Sequence, residues 1–206
     1  MKRGKFITLE GGEGVGKSTQ ARALGAALKE RGIDCLVTRE PGGSPGAEAI
    51  RALLLGGDHE WTAAAEALLF AAARADHVAK TIEPALAAGC WVLSDRFLDS
   101  SLAYQGGAGG LGLEQVRSIN DFGCGNLLPD RTLVLVAVQG ADRARARDHG
   151  NADPIGGRDE EYHARVDSAF RQLAGDEPQR VRLVDASDSP AEVTERLIAQ
   201  LADLLP

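Results

Sequence analysis

Short apolar runs alternate along this chain with longer stretches in which apolar residues recur every three or four positions. Runs of strand length occupy 5–10 (KFITLE), 34–40 (DCLVTRE), 90–95 (CWVLSD), 132–138 (TLVLVAV) and 180–185 (RVRLVD). Helical periodicity covers 17–31, 47–55, 62–88, 113–122, 158–173 and 191–205, the last starting at Ser189-Pro190, where proline in a first turn forfeits no hydrogen bond. Strands separated by helices predict a three-layer α/β fold with a central five-stranded parallel sheet. Three segments break the alternation: EPGGSPG (40–46), YQGGAGGLG (104–112) and DHGNADPIGG (148–157). Their glycine and proline predict loops, and loops at the carboxyl ends of parallel strands are where ligands bind.

Composition narrows the picture. A length of 206 residues suits one α/β domain spanning 1–206, and 44% hydrophobic with 26% charged residues is ordinary for a water-soluble protein. A net charge of −7 argues against a surface built to bind a nucleic-acid polymer, while leaving room for a basic pocket that takes a small anion. Cys35, Cys90 and Cys124 are odd in number, far apart and in no C-x-x-C arrangement, which predicts free thiols in a reducing compartment. The amino-terminal residues do not read as a signal peptide, and no apolar run is long enough to span a bilayer, so a cytoplasmic location is expected.

The strongest local chemistry is GGEGVGKS, Gly11 to Ser18, which fits G-x-x-x-x-G-K-[ST] with an apolar strand before it and a helical stretch after it. Glycines let successive backbone N–H groups turn inward around phosphate oxygens at a helix amino terminus, where the dipole already favours anions. Gly11, Gly12, Glu13, Gly14, Val15, Gly16, Lys17, Ser18 and Thr19 are therefore expected to bind a nucleoside triphosphate. Lys17 would reach the β- and γ-phosphates and the Ser18 hydroxyl would ligate Mg²⁺.

Phosphate loops serve switches, transporters and kinases alike. The chain has no N-K-x-D guanine-reading segment and no L-S-G-G-Q stretch, but arginines are scattered over several elements, as neutralising a second set of phosphates requires. Arg96 is the most telling, since it follows an apolar strand ending in Asp95, where a carboxylate near the metal is expected.

GGEGVGKST (11–19), TREPGG (38–43), LLFAAARADH (68–77) and SDRFLDSSLAYQG (94–106) together resemble the bacterial thymidylate kinases, from about Phe6 through the final helix. The resemblance implies a P-loop NTPase fold, phosphorylation of dTMP by ATP with Mg²⁺, and a homodimer. By similarity Phe70 stacks on the thymine, Arg74 donates to a base carbonyl, Ser101 and Gln105 bond the base edge, and Tyr104 crowds a 2′-hydroxyl. Arg96 holds the acceptor phosphate with Asp95 near the metal, Arg39 and Arg51 line the monophosphate side, and Glu40 lies close to the sugar and phosphate. A mobile lid is implied at about 143–158, with Arg147 or Arg158 bringing positive charge over the phosphates. There the chain departs from the family by reading Asp153-Pro154 where an Asp-Arg pair is common. The rival readings are a kinase for another nucleoside monophosphate, which would not need the Phe70, Arg74, Ser101 and Gln105 pocket, and a nucleotide switch, which would not need Arg51 and Arg96.

Overall fold

A computed structural model describes residues 2–57, 59–137 and 158–206. Its strands are β1 (Phe6–Gly11), β2 (Cys35–Arg39), β3 (Trp91–Asp95), β4 (Arg131–Val136) and β5 (Val181–Asp185). They form one sheet of five parallel strands in the order β2-β3-β1-β4-β5. Central β1 is buried along its whole length, as a strand covered on both faces must be.

Alternation along the strands divides the core. Phe6, Val92 and Val134 face one layer, packing with Phe97, Leu102, Val166 and Phe170. Ile7, Leu9, Leu93, Leu133 and Val184 face the other, against Leu24 and Leu28 of α1 (Lys17–Glu30) and Val193 and Leu197 of α8 (Pro190–Ala199). The first layer also carries α2 (Pro45–Leu55), α3 (Ala63–His77), α4 (Glu83–Ala87), α5 (Leu98–Ser101), α6 (Leu113–Cys124) and α7 (Glu160–Asp176). Ser44, Thr62, Asp159 and Ser189 accept backbone N–H groups at the starts of α2, α3, α7 and α8.

The expected helix over 62–88 is α3 and α4 joined by a π turn, Val78–Ile82, in which Glu83 N–H reaches back to the Val78 carbonyl. Pro84, without an N–H, follows at once and cannot supply the ordinary i→i−4 bond. The final helix ends at Ala199 rather than 205. A larger difference lies at 98–108. Where a loop is expected from residue 104, α5 runs straight into a π-helical segment, Leu102–Ala108. Nearly all of it is buried, so it has no polar face, and its helical period does not show among the glycines. The segment 148–157, expected as a loop, lies outside the described residues.

Candidate active site

The Gly11–Thr19 loop leaves the carboxyl end of β1 and turns directly into α1. Gly11 has φ 129°, and a Cβ there would stand 2.4 Å from the Leu135 carbonyl oxygen of neighbouring β4, so no side chain fits. Gly16, at φ 97°, caps α1 without a side-chain hydrogen bond, leaving the first N–H groups of the helix free of a side-chain cap. Buried Lys17 folds back across the loop, its Nζ donating to the Gly12 carbonyl at 2.5 Å. Burial, and then the Arg96 charge, lower the Lys17 pKa to about 8.

Strand β3 pairs with β1 and brings Asp95 opposite Leu9, beside the loop. Ser18 Oγ donates to Asp95 Oδ2 at 2.5 Å. Arg96 follows with the left-handed backbone φ of 72°, its N–H donating to the Leu9 carbonyl. This turns the side chain over the loop. Its Nη1 donates to Ser100 Oγ at 3.0 Å and more distantly to the Gly11 carbonyl, and its Nη2 reaches Glu13 Oε1 and, at 3.2 Å, the Tyr104 hydroxyl. The guanidinium lies 4.9 Å from the Tyr104 ring centroid. Burial pushes the Glu13 carboxyl up, but Arg96, Lys17 and the Tyr104 hydroxyl outweigh it and hold its pKa at about 2.

Beneath Arg96 lies Glu10, fully buried at the end of β1. Its two oxygens accept from Phe97 N–H at 2.8 Å and from Ser100 Oγ at 2.5 Å. Burial and the nearby Asp99 raise its pKa. Asp99 is itself buried in a bidentate pair with Arg180. Glu10 thus braces the turn that aims Arg96, from one strand away.

Opposite the loop, α2, α3 and the 98–108 helix enclose the rest of the site. One cleft of about 450 Å³ is lined by Glu13, Gly14, Gly16 to Thr19, Arg39, Glu40, Arg51, Phe70, Arg74, Asp95, Arg96, Ser101, Tyr104 and Gln105, with Pro41, Leu55 and Ser100. Gly11, Gly12 and Val15 belong to the loop but do not line it; Val15 packs on the core instead. Arg74 is 2% exposed, and three of its five N–H groups are spoken for: Nε donates to Glu40 Oε2 at 2.7 Å, Nη2 to the Phe97 carbonyl at 2.9 Å, and Nη1 to Asn120 Oδ1. Glu40, whose bond to Pro41 is cis, also meets His77 Nδ1 at 3.0 Å. Arg51 Nη1 donates to the Pro41 carbonyl at 2.7 Å, and half-exposed Arg39 pairs with Glu48 at 3.1 Å.

A phosphate loop and an aromatic, arginine-lined pocket sharing one cleft is the arrangement of an enzyme that carries a phosphoryl group between two nucleotides. Comparison with known proteins narrows it further. The family model described as Thymidylate kinase matches residues 9–197. The chain belongs to the thymidylate kinase family. A relative of that name from Rhizorhabdus wittichii is 61% identical, over 98% of this chain and 99% of its own, and one from Rhodopseudomonas palustris strain TIE-1 is 50% identical, over 95% and 87%. The crystal structure of thymidylate kinase from Ehrlichia chaffeensis superposes with a TM-score of 0.78 at 31% identity, over 97% of this chain and 99% of the other. The chain therefore has the P-loop NTPase fold of the thymidylate kinases, and among the described residues no helix is long and apolar enough to cross a membrane.

Mg²⁺ is the metal expected from the sequence at this loop, and the donors there suit it. Ser18 Oγ and Asp95 are hard oxygen groups side by side, and among the described residues no cluster of three or more His, Cys, Asp or Glu forms an all-protein cage. Mg²⁺ in such sites keeps its waters and takes one or two protein oxygens together with phosphate oxygens. Arg158 does not line the cleft; its Nη2 pairs with Glu66 and its Nη1 donates to the Tyr162 hydroxyl, each at 2.5 Å. Arg147, with Arg143 and Arg145, lies outside the described residues. Glu10, Ser100, Glu66 and Asn120 also stand at the site without being marked by any motif in the sequence. Only Glu10 carries a local signal, an acid closing an otherwise apolar run immediately before the glycines.

Proposed function

We propose that this protein transfers the γ-phosphoryl group of ATP to dTMP, yielding ADP and dTDP on the way to dTTP. The observation that carries the reading is that Lys17 and Ser18 line the same cleft as Phe70, Arg74 and Gln105. An acceptor phosphate oxygen attacks the γ-phosphorus in line, the bond to the β-bridging oxygen breaks, and ADP leaves; no covalent protein intermediate is needed. Lys17 gives up the Gly12 carbonyl for the β- and γ-phosphates, while the loop N–H groups from Gly11 to Thr19 hold the donor. Arg96 exchanges Glu13 for the acceptor phosphate, with Arg39 and Arg51 on the same side. Phe70 supplies the face for the thymine. The two N–H groups of Arg74 not engaged in the protein bonds above, together with Ser101 and Gln105, serve its edge, and Tyr104 and Glu40 stand by the sugar. Mg²⁺, held by Ser18 and Asp95, supplies charge neutralisation on the donor phosphates when bound. Arg147 adds charge from a lid at about 143–158, within a single kinase domain of residues 1–206, since Arg158 is taken up by Glu66 and Tyr162.

We assign the protein to the cytoplasm and to a homodimer. Leu53 on α2, Leu68 on α3 and Phe122 on α6 are exposed apolar side chains, Phe122 to 94%, and α3 packs against both other helices. A Phe122→Ser variant sediments as a lighter species than the parent if that face is the interface.

The deciding experiment measures ADP release from ATP and Mg²⁺ with dTMP, dUMP, UMP, CMP, AMP and GMP in turn. dTMP gives the largest stimulation; a larger response to another monophosphate refutes the substrate assignment, and no response to any refutes the kinase reading.

A further inference from the structure

Gln105 lines the cleft and is otherwise enclosed, at 4% exposure. A glutamine amide has a donor end and an acceptor end, and the end that faces a ligand decides what it can read. Gln105 Nε2 donates to Glu66 Oε1 at 2.9 Å, while Glu66 Oε2 accepts from Arg158 Nη2 at 2.5 Å. A carboxylate paired with a guanidinium accepts hydrogen bonds and does not donate them. The NH₂ end of Gln105 is therefore drawn to Glu66, and its carbonyl end is turned the other way. Glu66 is 8% exposed, sits on α3 one turn before Phe70, and is not part of the cleft wall. It acts on Gln105, not on a ligand.

We infer that Glu66, braced by Arg158, is a positioning residue that holds the Gln105 carbonyl toward the base and so makes the site select a pyrimidine bearing an N3–H. Resting on the thymidylate reading above, this accounts for thymine over cytosine at the ring nitrogen itself. The N3–H of thymine donates to the carbonyl; the N3 of cytosine is an acceptor, and would leave two enclosed acceptors facing each other. The brace is tied to the reading helix at a second point. Arg158 stacks 4.6 Å from the ring centroid of Tyr162, whose hydroxyl donates to the Tyr104 carbonyl at 2.9 Å, one residue before Gln105.

The test compares kcat/KM for dTMP and dCMP. Glu66→Gln replaces an acceptor-only group by an amide, which lets Gln105 turn over. The dTMP-to-dCMP ratio falls by roughly tenfold or more, chiefly through a higher KM for dTMP, with the KM for ATP unmoved. The exchange variant Glu66→Gln with Gln105→Glu again puts an acceptor on the cleft side and recovers most of the ratio, which a merely structural role for Glu66 would not produce. An unchanged ratio in the single variant overturns the inference. So does an exchange variant no more selective than the single one, and this arm decides the matter alone if calorimetry finds the single variant unfolded. Gln105→Ala separates the two readings. If it leaves the ratio intact, the base pocket itself is misassigned; if it collapses the ratio while Glu66→Gln does not, only the role of Glu66 falls.

Discussion

The two halves of the cleft are made differently. On the side proposed for the donor the working surface is backbone: a glycine-rich turn, the amino terminus of α1, and one lysine that bonds the loop's own carbonyl at Gly12. On the side proposed for the acceptor it is side chains, and most of the arginines there are met by carboxylates: Arg96 by Glu13, Arg74 by Glu40 and Arg39 by Glu48, with Arg158 and Glu66 behind Gln105, while Arg51 meets the Pro41 carbonyl. Phosphates look alike from any direction, so a ring of N–H groups suffices to hold them. A particular base and sugar need rotamers held to within a fraction of an ångström, and in a buried site that means opposite charges locking one another.

The contrast can be attacked from both sides. Arg96→Ala has the largest expected effect. By the scale of lost transition-state donors, kcat falls roughly 10²–10³-fold while the Kd for ATP stays within about twofold. Steady-state kinetics beside calorimetric titration of ATP measure both, and an equal loss of ATP affinity would place Arg96 with the donor. Glu40→Gln comes next. Removing one partner of the buried Arg74 pair costs about 3 kcal/mol by the usual range for such pairs. That lowers the melting temperature by roughly 6–12 °C in a chain of this size and raises the KM for dTMP more than that for ATP. Gly16→Ala probes the backbone half: forcing a side chain into φ 97° costs about 1–2 kcal/mol, and it should weaken ATP binding about tenfold with dTMP binding preserved.

The smallest effect is a pH dependence. Lys17 has its pKa lowered to about 8 in the free protein, so it is charged below that pH and loses its proton as pH rises through it. Triphosphate in the loop favours the charged form and lifts the pKa again. ATP affinity is therefore about halved at pH 8 relative to pH 7, and binding at pH 8 takes up about half a proton, visible as a buffer-dependent enthalpy. Glu13, held at about 2, contributes no acid limb between pH 5 and 9.

The same division decided what the sequence disclosed. β1, the glycine turn and α1 are neighbours in the chain, so a single stretch of letters carries both the geometry and its purpose. Strands β3 and β4 are legible because burial on both faces makes them short, apolar and bounded, and the partly exposed edge strands β2 and β5 because their apolar residues cluster between polar, turn-forming stretches. Glu66, Asn120 and Ser100 gave no sign, because each gains its meaning from a partner brought close by the fold: Glu66 meets Arg158 92 residues on, and Asn120 meets Arg74 46 residues back. Arg74 was readable as a residue with a donor to offer, but not as one that already spends three N–H groups holding the site together. The helix over 98–108 escaped because the signal for a helix is a contrast between a wet and a dry side, and this one has only a dry side.

That helix has one more consequence. A π turn closes its hydrogen bonds one residue later than an α turn. Tyr104 and Gln105, both on the cleft wall, stand within such turns at Leu102–Ala108, so their aim depends on the winding as well as on their identity. A protein with both letters in place but an ordinary winding would present them differently, which a comparison of letters alone does not reveal.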